Sequence, residues 1–153
     1  MRANTRLFGE IEIEEEKIIN MEQGIIGFPD LKQFTLIFDS ERKEKSGIMW
    51  MQSMDDGEVS IPVMAPSDLI ADYNPTVNYE LLEFLGELTP ENTYVLVTVT
   101  VPQKIEDISV NLKAPIIINM STNKGCQIIV EDDYAVRHKI YDLIKDGKGK
   151  AGE

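Results

Sequence analysis

Thr93-Tyr94-Val95-Leu96-Val97-Thr98-Val99-Thr100-Val101 reads as a β-strand and decides the fold class. Val95, Val97, Val99 and Val101 fall on one face, and Tyr94, Leu96, Thr98 and Thr100 on the other, with the period of two of a pleated backbone. β-Branched side chains are stiff at χ1 and suit a pleated surface, so composition and period agree. Outward from this stretch, short runs of the same kind recur between turn residues. Residues 108–112, 115–120 and 126–130 follow it, with Asn123-Lys124-Gly125 turning the last two against each other. Upstream, residues 47–51 and 59–64 bracket Asp55-Asp56-Gly57, a hairpin turn signal. Residues 34–38 form a further strand, and residues 7–13 are expected to pair with 17–21 across a glutamate turn. This density of strands, with few helices, predicts an all-β fold: an antiparallel β-barrel-like single domain with a few short helices.

Helix signals are few. Ser67 or Asp68 is placed to cap one turn through Asp72. Asn78 is placed to cap residues 79–85, with Leu81, Leu82 and Leu85 at helical spacing and Gly86 just past the end. A third helix is expected from Asp132-Asp133 toward Lys145. Residues 24–30 form a loop with two glycines and a proline, and residues 39–47 are polar and charged, a loop or short turn. The barrel domain is expected to span residues 1–145. Residues 146–153, with no apolar anchor except Ala151, are expected to be a disordered tail.

The chain has 153 residues, a length that favours one domain with a real core. Its 27 acids and 15 bases give a net charge of −12. Such a surface should not grip a phosphate backbone, which needs clustered Lys and Arg, and should prefer a basic partner. The charge is uneven. From Ser46 to Gln103 there is no base, and nine of the acids lie there: Asp55, Asp56, Glu58, Asp68, Asp72, Glu80, Glu83, Glu87 and Glu91. The other 18 acids nearly balance all 15 bases. The base-free stretch is either a solvated face kept soluble by like charge or an electronegative surface that steers a basic partner. A second cluster, Glu10, Glu12, Glu14, Glu15 and Glu16, interleaves with Ile11 and Ile13, which places its acids on the wet face of a strand and its turn.

Little in the chain suits catalysis. The lone Cys126 rules out an intrachain disulfide framework and suits a reducing compartment. It opens an apolar strand, where a buried, inert thiol is expected. His138 has no partner that the sequence identifies. Asp55-Asp56 and Asp132-Asp133 are expected to be solvated or capping pairs. One His and one Cys give no metal-ligand spacing. Gly24-x-x-Gly27 lacks the Lys-Ser/Thr of a phosphate-binding loop. No cofactor, metal or catalytic residue is therefore expected. No apolar segment follows the first six residues as in a secretory signal, and no apolar run approaches the ~20 residues that span a bilayer. The reading is a cytoplasmic protein with no membrane segment. Met49, Trp50, Met51, Met54 and Met64 are either core filling or an apolar patch for peptide segments.

Several segments resemble the FliW family of bacterial flagellar assembly factors. They are Gly24-Ile25-Ile26-Gly27-Phe28-Pro29 with Leu31 beyond it, and Asn111-Leu112-Lys113-Ala114-Pro115-Ile116-Ile117-Ile118-Asn119. Gly125-x-Gln127-Ile128-Ile129 and Tyr134-x-x-Arg137-His138 complete the set. Their order and spacing match from about residue 7 to 138. Where the family commonly has a proline after this histidine, the chain has Lys139 and a helix-like 140–144, implying a longer, more helical C-terminal end.

The resemblance implies a non-enzymatic partner switch. Proteins of this family bind flagellin in the cytoplasm and bind CsrA, a small basic RNA-binding dimer that represses flagellin translation. Flagellin occupying the factor frees CsrA to repress, and exported flagellin releases the factor to sequester CsrA. The implied partners are flagellin and a CsrA-type dimer, with no direct nucleic acid, and the free chain is expected to be a monomer. Gly27, Phe28, Pro29, Asn111, Ala114, Pro115 and Asn119 match the family pattern and are candidate partner-binding residues, with loop and turn building as the alternative role. Asp55, Asp56 and Glu58 are candidates from the base-free stretch, and reversing these turn acids to Lys is expected to spare the fold. An export chaperone for a helical client, without a link to RNA regulation, is the alternative function. An enzyme using Cys126 is a third.

Overall fold

The computed structural model describes residues 1–38 and 47–143. Most of the expected 39–47 loop and all of the expected 146–153 tail lie outside the described residues. The strands in chain order are β1 (Arg2–Thr5), β2 (Gly9–Glu12), β3 (Ile19–Met21), β4 (Gln33–Phe38), β5 (Met49–Ser53), β6 (Ser60–Met64), β7 (Thr93–Thr100), β8 (Ser109–Val110), β9 (Ile116–Asn119), β10 (Lys124–Gln127) and β11 (His138–Lys139). Strands β3, β4, β5, β6, β7, β9 and β10 are hydrogen-bonded neighbours in a ring, so the sheet closes into a barrel and leaves none of these seven as a long free edge. All of the ring pairings are antiparallel except the closing one, where β10 runs parallel to β3 with Gly125 opposite Met21. Strand β8 pairs with the far end of β7, and β11 pairs with β8, forming a short flap beside the barrel.

Alternation explains the filling. Ile116 and Ile118 of β9 point inward with Leu96, Phe34, Met49, Met51 and Val63, while Ile117 points outward onto Leu82, Leu85 and Cys126. Strand β7 is likewise covered on both faces: Leu96 lies in the barrel, and Val97 and Val99 pack in a second cluster with Met64, Val110 and Ile140. Met49, Met51, Met54 and Met64 are buried and Trp50 is half-buried between Ile37 and Pro62, so the methionine-rich run is core filling.

Four expectations about elements are corrected. Residues 7–13 do not pair with 17–21. Strand β2 pairs with β1, with Arg2 opposite Glu12 and Thr5 opposite Gly9. The Thr5 hydroxyl secures that turn by donating to Gly9 O (2.8 Å) and accepting from Phe8 N (2.9 Å), while Glu15–Lys17 forms a 3-10 turn. Neither Ser67 nor Asp68 caps a helix: Pro66–Asp68 is a 3-10 turn that starts after Ala65, with proline supplying the fixed φ. Tyr79–Leu85 is a 3-10 helix, not α, although Asn78 Oδ1 does accept from Glu80 N (3.0 Å) at its start. No helix starts at Asp132-Asp133. The Asp132 carboxylate is engaged by Thr76, His138–Lys139 forms β11, and helical backbone begins only at residue 141.

Candidate partner-binding surfaces

Two surfaces of different chemistry emerge, and the recognisable motifs contribute to both. On the first, the loop of residues 24–29 leaves β3 and folds on itself through Phe28 N to Ile25 O (2.7 Å). Gly24 has φ +68°, and a Cβ there would fall 2.5 Å from the Phe28 carbonyl oxygen, so only glycine fits. The loop presents Ile26 and Phe28, 56% and 39% exposed, and Ile26 shares a shallow depression with Ile129, 67% exposed. Gln127 is the strut that holds it: its Oε1 accepts from Ile26 N (2.8 Å), and its Nε2 donates to Ala114 O (3.0 Å). Three segments far apart in sequence thus meet at one side chain. Gly125, two residues before, is needed for close approach, since a Cβ would lie 2.6 Å from Met21 Sδ at the parallel closure of the barrel.

The turn of Asp55, Asp56 and Glu58 stands at the base of the same loop. Asp55 Oδ2 accepts from Lys32 N (2.6 Å) and Gln33 N (2.8 Å), fixing where the loop re-enters the barrel at β4. Asp56 Oδ1 accepts from Glu58 N (3.0 Å). The expectation that all three acids can be reversed without touching the fold is therefore corrected for Asp55, whose carboxylate is a hydrogen-bond acceptor for backbone. Glu58 is exposed, and its carboxylate has no hydrogen bond or ion pair among the described residues.

The second surface is a groove of about 830 Å³ between the 65–92 excursion and the outer face of the barrel. Its floor includes Val95, Pro115 and Ile117, and its wall Tyr79, Leu82 and Pro90. Every side chain lining it is uncharged. The excursion is tied down at one end by Thr76, which donates its N–H to Asp132 Oδ1 (2.8 Å) and its hydroxyl to Oδ2 (3.0 Å). Those bonds, the backbone one first, hold the Asp132 carboxyl below the usual carboxylate range. The Tyr73 hydroxyl donates to Leu112 O (2.6 Å), and its ring meets Tyr134 edge-on at 4.7 Å. Burial, with Tyr134 and Asp132 close by, raises the Tyr73 phenol well above its ordinary value.

Asn119 ties the other end of the excursion. It is fully buried; its Nδ2 donates to Leu85 O (2.8 Å) and Glu87 O (3.2 Å), and its Oδ1 accepts from Ser121 N (2.8 Å) and Thr122 N (3.3 Å). Asn111 Oδ1 accepts from Lys113 N (3.0 Å) and shapes a local turn. Of the motif residues, Asn119, Ala114 and Pro115 are buried, so Asn119 and Ala114 offer no surface and Pro115 meets only the groove floor. Gly27, Phe28 and Pro29 are exposed. The groove and the Gln127 strut escaped sequence reasoning, because a lone Gln and neutral residues scattered from 65 to 117 carry no local signal.

Cys126 is 2% exposed, and burial pushes its thiol up to about 11, away from the thiolate a nucleophile needs. No group of three or more His, Cys, Asp or Glu able to hold a metal occurs among the described residues. No helix of the described residues is long and apolar enough to cross a membrane.

Comparison with known proteins gives a consistent answer. A family model described as FliW protein matches residues 2–140. A flagellar assembly factor FliW of Lachnoclostridium phytofermentans is 42% identical over 151 residues, covering 97% of each chain. Another, of Lachnospira eligens, is 44% identical over 147 residues, covering 95% of this chain and 97% of that one. A crystal structure of the flagellar assembly factor FliW superposes with a TM-score of 0.82 at 29% identity, covering 92% of this chain and 97% of the other. The barrel, its motif-bearing loop and these relatives agree: the chain belongs to the FliW family of flagellar assembly factors.

Proposed function

We propose that this chain works in the cytoplasm as a binding switch, without a catalytic step, that takes flagellin as one partner and a CsrA-type RNA-binding dimer as the other. Held by the factor, CsrA no longer represses flagellin translation; flagellin in excess displaces it. The observation that carries this reading is the charge distribution. The net charge of −12 is concentrated in the stretch from residue 46 to 103, and its acids form no ion pair among the described residues. An acidic stretch with no base of its own attracts a basic RNA binder and repels the phosphates that compete for it.

Titrating each partner against the preformed complex of the other tests the switch. Linkage requires flagellin to weaken CsrA binding by the factor by which CsrA weakens flagellin binding. A stable ternary complex with unchanged affinities refutes the switch, and flagellin binding without CsrA binding reduces the protein to an export chaperone.

A further inference from the structure

Resting on that reading, we infer that the groove beneath the 65–92 excursion is the docking site for the basic partner, and that it takes an apolar segment of that partner flanked by Lys or Arg. The groove supplies the apolar half of the match. Its floor of Val95, Pro115 and Ile117 faces a wall of Tyr79, Leu82 and Pro90, and no charge lines it. Tyr79 stands 79% exposed on that wall, a large ring mostly in water until a partner covers it. Tyrosine is among the residue types enriched where a few side chains carry most of the binding energy, provided that the partner desolvates it.

The rim supplies the charged half. Asp72, Glu80, Glu83, Glu87 and Glu91 alternate along the excursion with the lining residues, and all five are exposed. The excursion has no Lys or Arg to neutralise them. A neutral groove inside a one-sign rim selects an occupant whose apolar residues sit between cations. A polyanion or an acidic segment is repelled by the same rim.

Two ties hold the wall at its distance from the barrel before any partner arrives. Thr76 is clipped to Asp132 at one end, and Asn119 holds the Leu85 and Glu87 carbonyls at the other. A preformed groove spares the cost of ordering it on binding.

The test uses the full chain, a purified CsrA-type dimer and purified flagellin, with folding of each variant checked by urea unfolding. Tyr79→Ala removes the exposed anchor. Glu80→Lys/Glu83→Lys/Glu87→Lys reverses the rim, and Glu14→Lys/Glu15→Lys/Glu16→Lys applies the same charge change to exposed acids elsewhere. Tyr79→Ala is expected to weaken the CsrA complex about tenfold, and to do so equally at about 0.1 M and about 1 M salt. The rim reversal is expected to slow association about tenfold or more at the lower salt, with the difference largely gone at the higher, where the Debye length is about 3 Å. The distal reversal should change association by far less than the rim reversal.

If wild type binds CsrA and both groove variants bind it equally well, the docking assignment is overturned while the proposed function stands. If Tyr79→Ala weakens flagellin alone, the groove belongs to flagellin and the assignment is likewise overturned. If wild type binds neither protein, the functional reading itself fails.

Discussion

Replacing Asn119 by alanine probes how the groove wall is held. The residue is fully buried and makes four hydrogen bonds, so a plain count predicts a large loss. The structure says otherwise. Leu85 O keeps a second donor, the Thr122 hydroxyl at 2.8 Å, and Glu87 O keeps Asn92 Nδ2 at 2.9 Å. The two amides released, of Ser121 and Thr122, belong to exposed residues and can turn to water. No buried group is orphaned, so the cost is that of the two short bonds at about 1 kcal/mol each plus a small cavity, about 2–3 kcal/mol in all. Thr122→Val alone should cost about 1 kcal/mol, because Asn119 still serves Leu85 O. The double variant removes both donors and leaves a buried carbonyl unpaired. It should therefore exceed the sum of the singles by about 1–3 kcal/mol. Urea unfolding of the four proteins closes the cycle. Additivity within about 0.5 kcal/mol would refute the reasoning, since it would mean that water or a shifted backbone reaches Leu85 O once both side chains are gone.

Asp55→Ala should cost about 1 kcal/mol of stability by releasing the Lys32 and Gln33 amides, whereas Glu58→Lys should leave the urea midpoint nearly unchanged, so Glu58→Lys is the cleaner probe of partner charge in this turn. The Asp132 carboxyl titrates below its unfolded value near 3.8, so its contribution to stability is present above that value and is lost as the pH falls through the folded one. Urea midpoints measured at about pH 6 and about pH 3 should therefore drop less for Asp132→Asn than for wild type. With its pKa raised to about 11, Cys126 holds roughly a hundredfold less thiolate at pH 8 than an exposed cysteine; iodoacetamide should label the denatured chain at least that much faster, and equal labelling of the native chain would contradict the burial. Cys126→Ser and His138→Gln variants that stay folded should bind both partners as wild type does.

Much of the barrel is legible in the sequence. The alternation of residues 93–101 reports a strand because the pleat imposes its period locally, and the Asp55-Asp56-Gly57 turn lies where expected between β5 and β6. Asn78 was readable as a cap because that bond reaches only two residues ahead. The misses share one cause. Residues 7–13 could pair with either neighbour on pattern alone, and the choice of β1 was made by the turn at Thr5 and Gly9. The helix expected from Asp132 did not form because the backbone there is paired with distant chain: Ala135 O accepts from Leu112 N, and His138–Lys139 pair with β8.

The candidate site divides along the same line. Sequence by itself determined the strand content, the acidic stretch without bases and the glycine-rich loop, since each depends on neighbours within a few residues or on composition alone. Only the tertiary structure decided which of those residues a partner can touch. It buried Asn119 and Ala114, turned Asp55 into a backbone anchor, and joined residues 26, 114 and 127 through one amide side chain. It also assembled a neutral groove from residues 65 to 117. Burial and long-range hydrogen bonds depend on closure of the sheet, in which β10 meets β3 across more than a hundred residues, and no local pattern encodes a contact of that span.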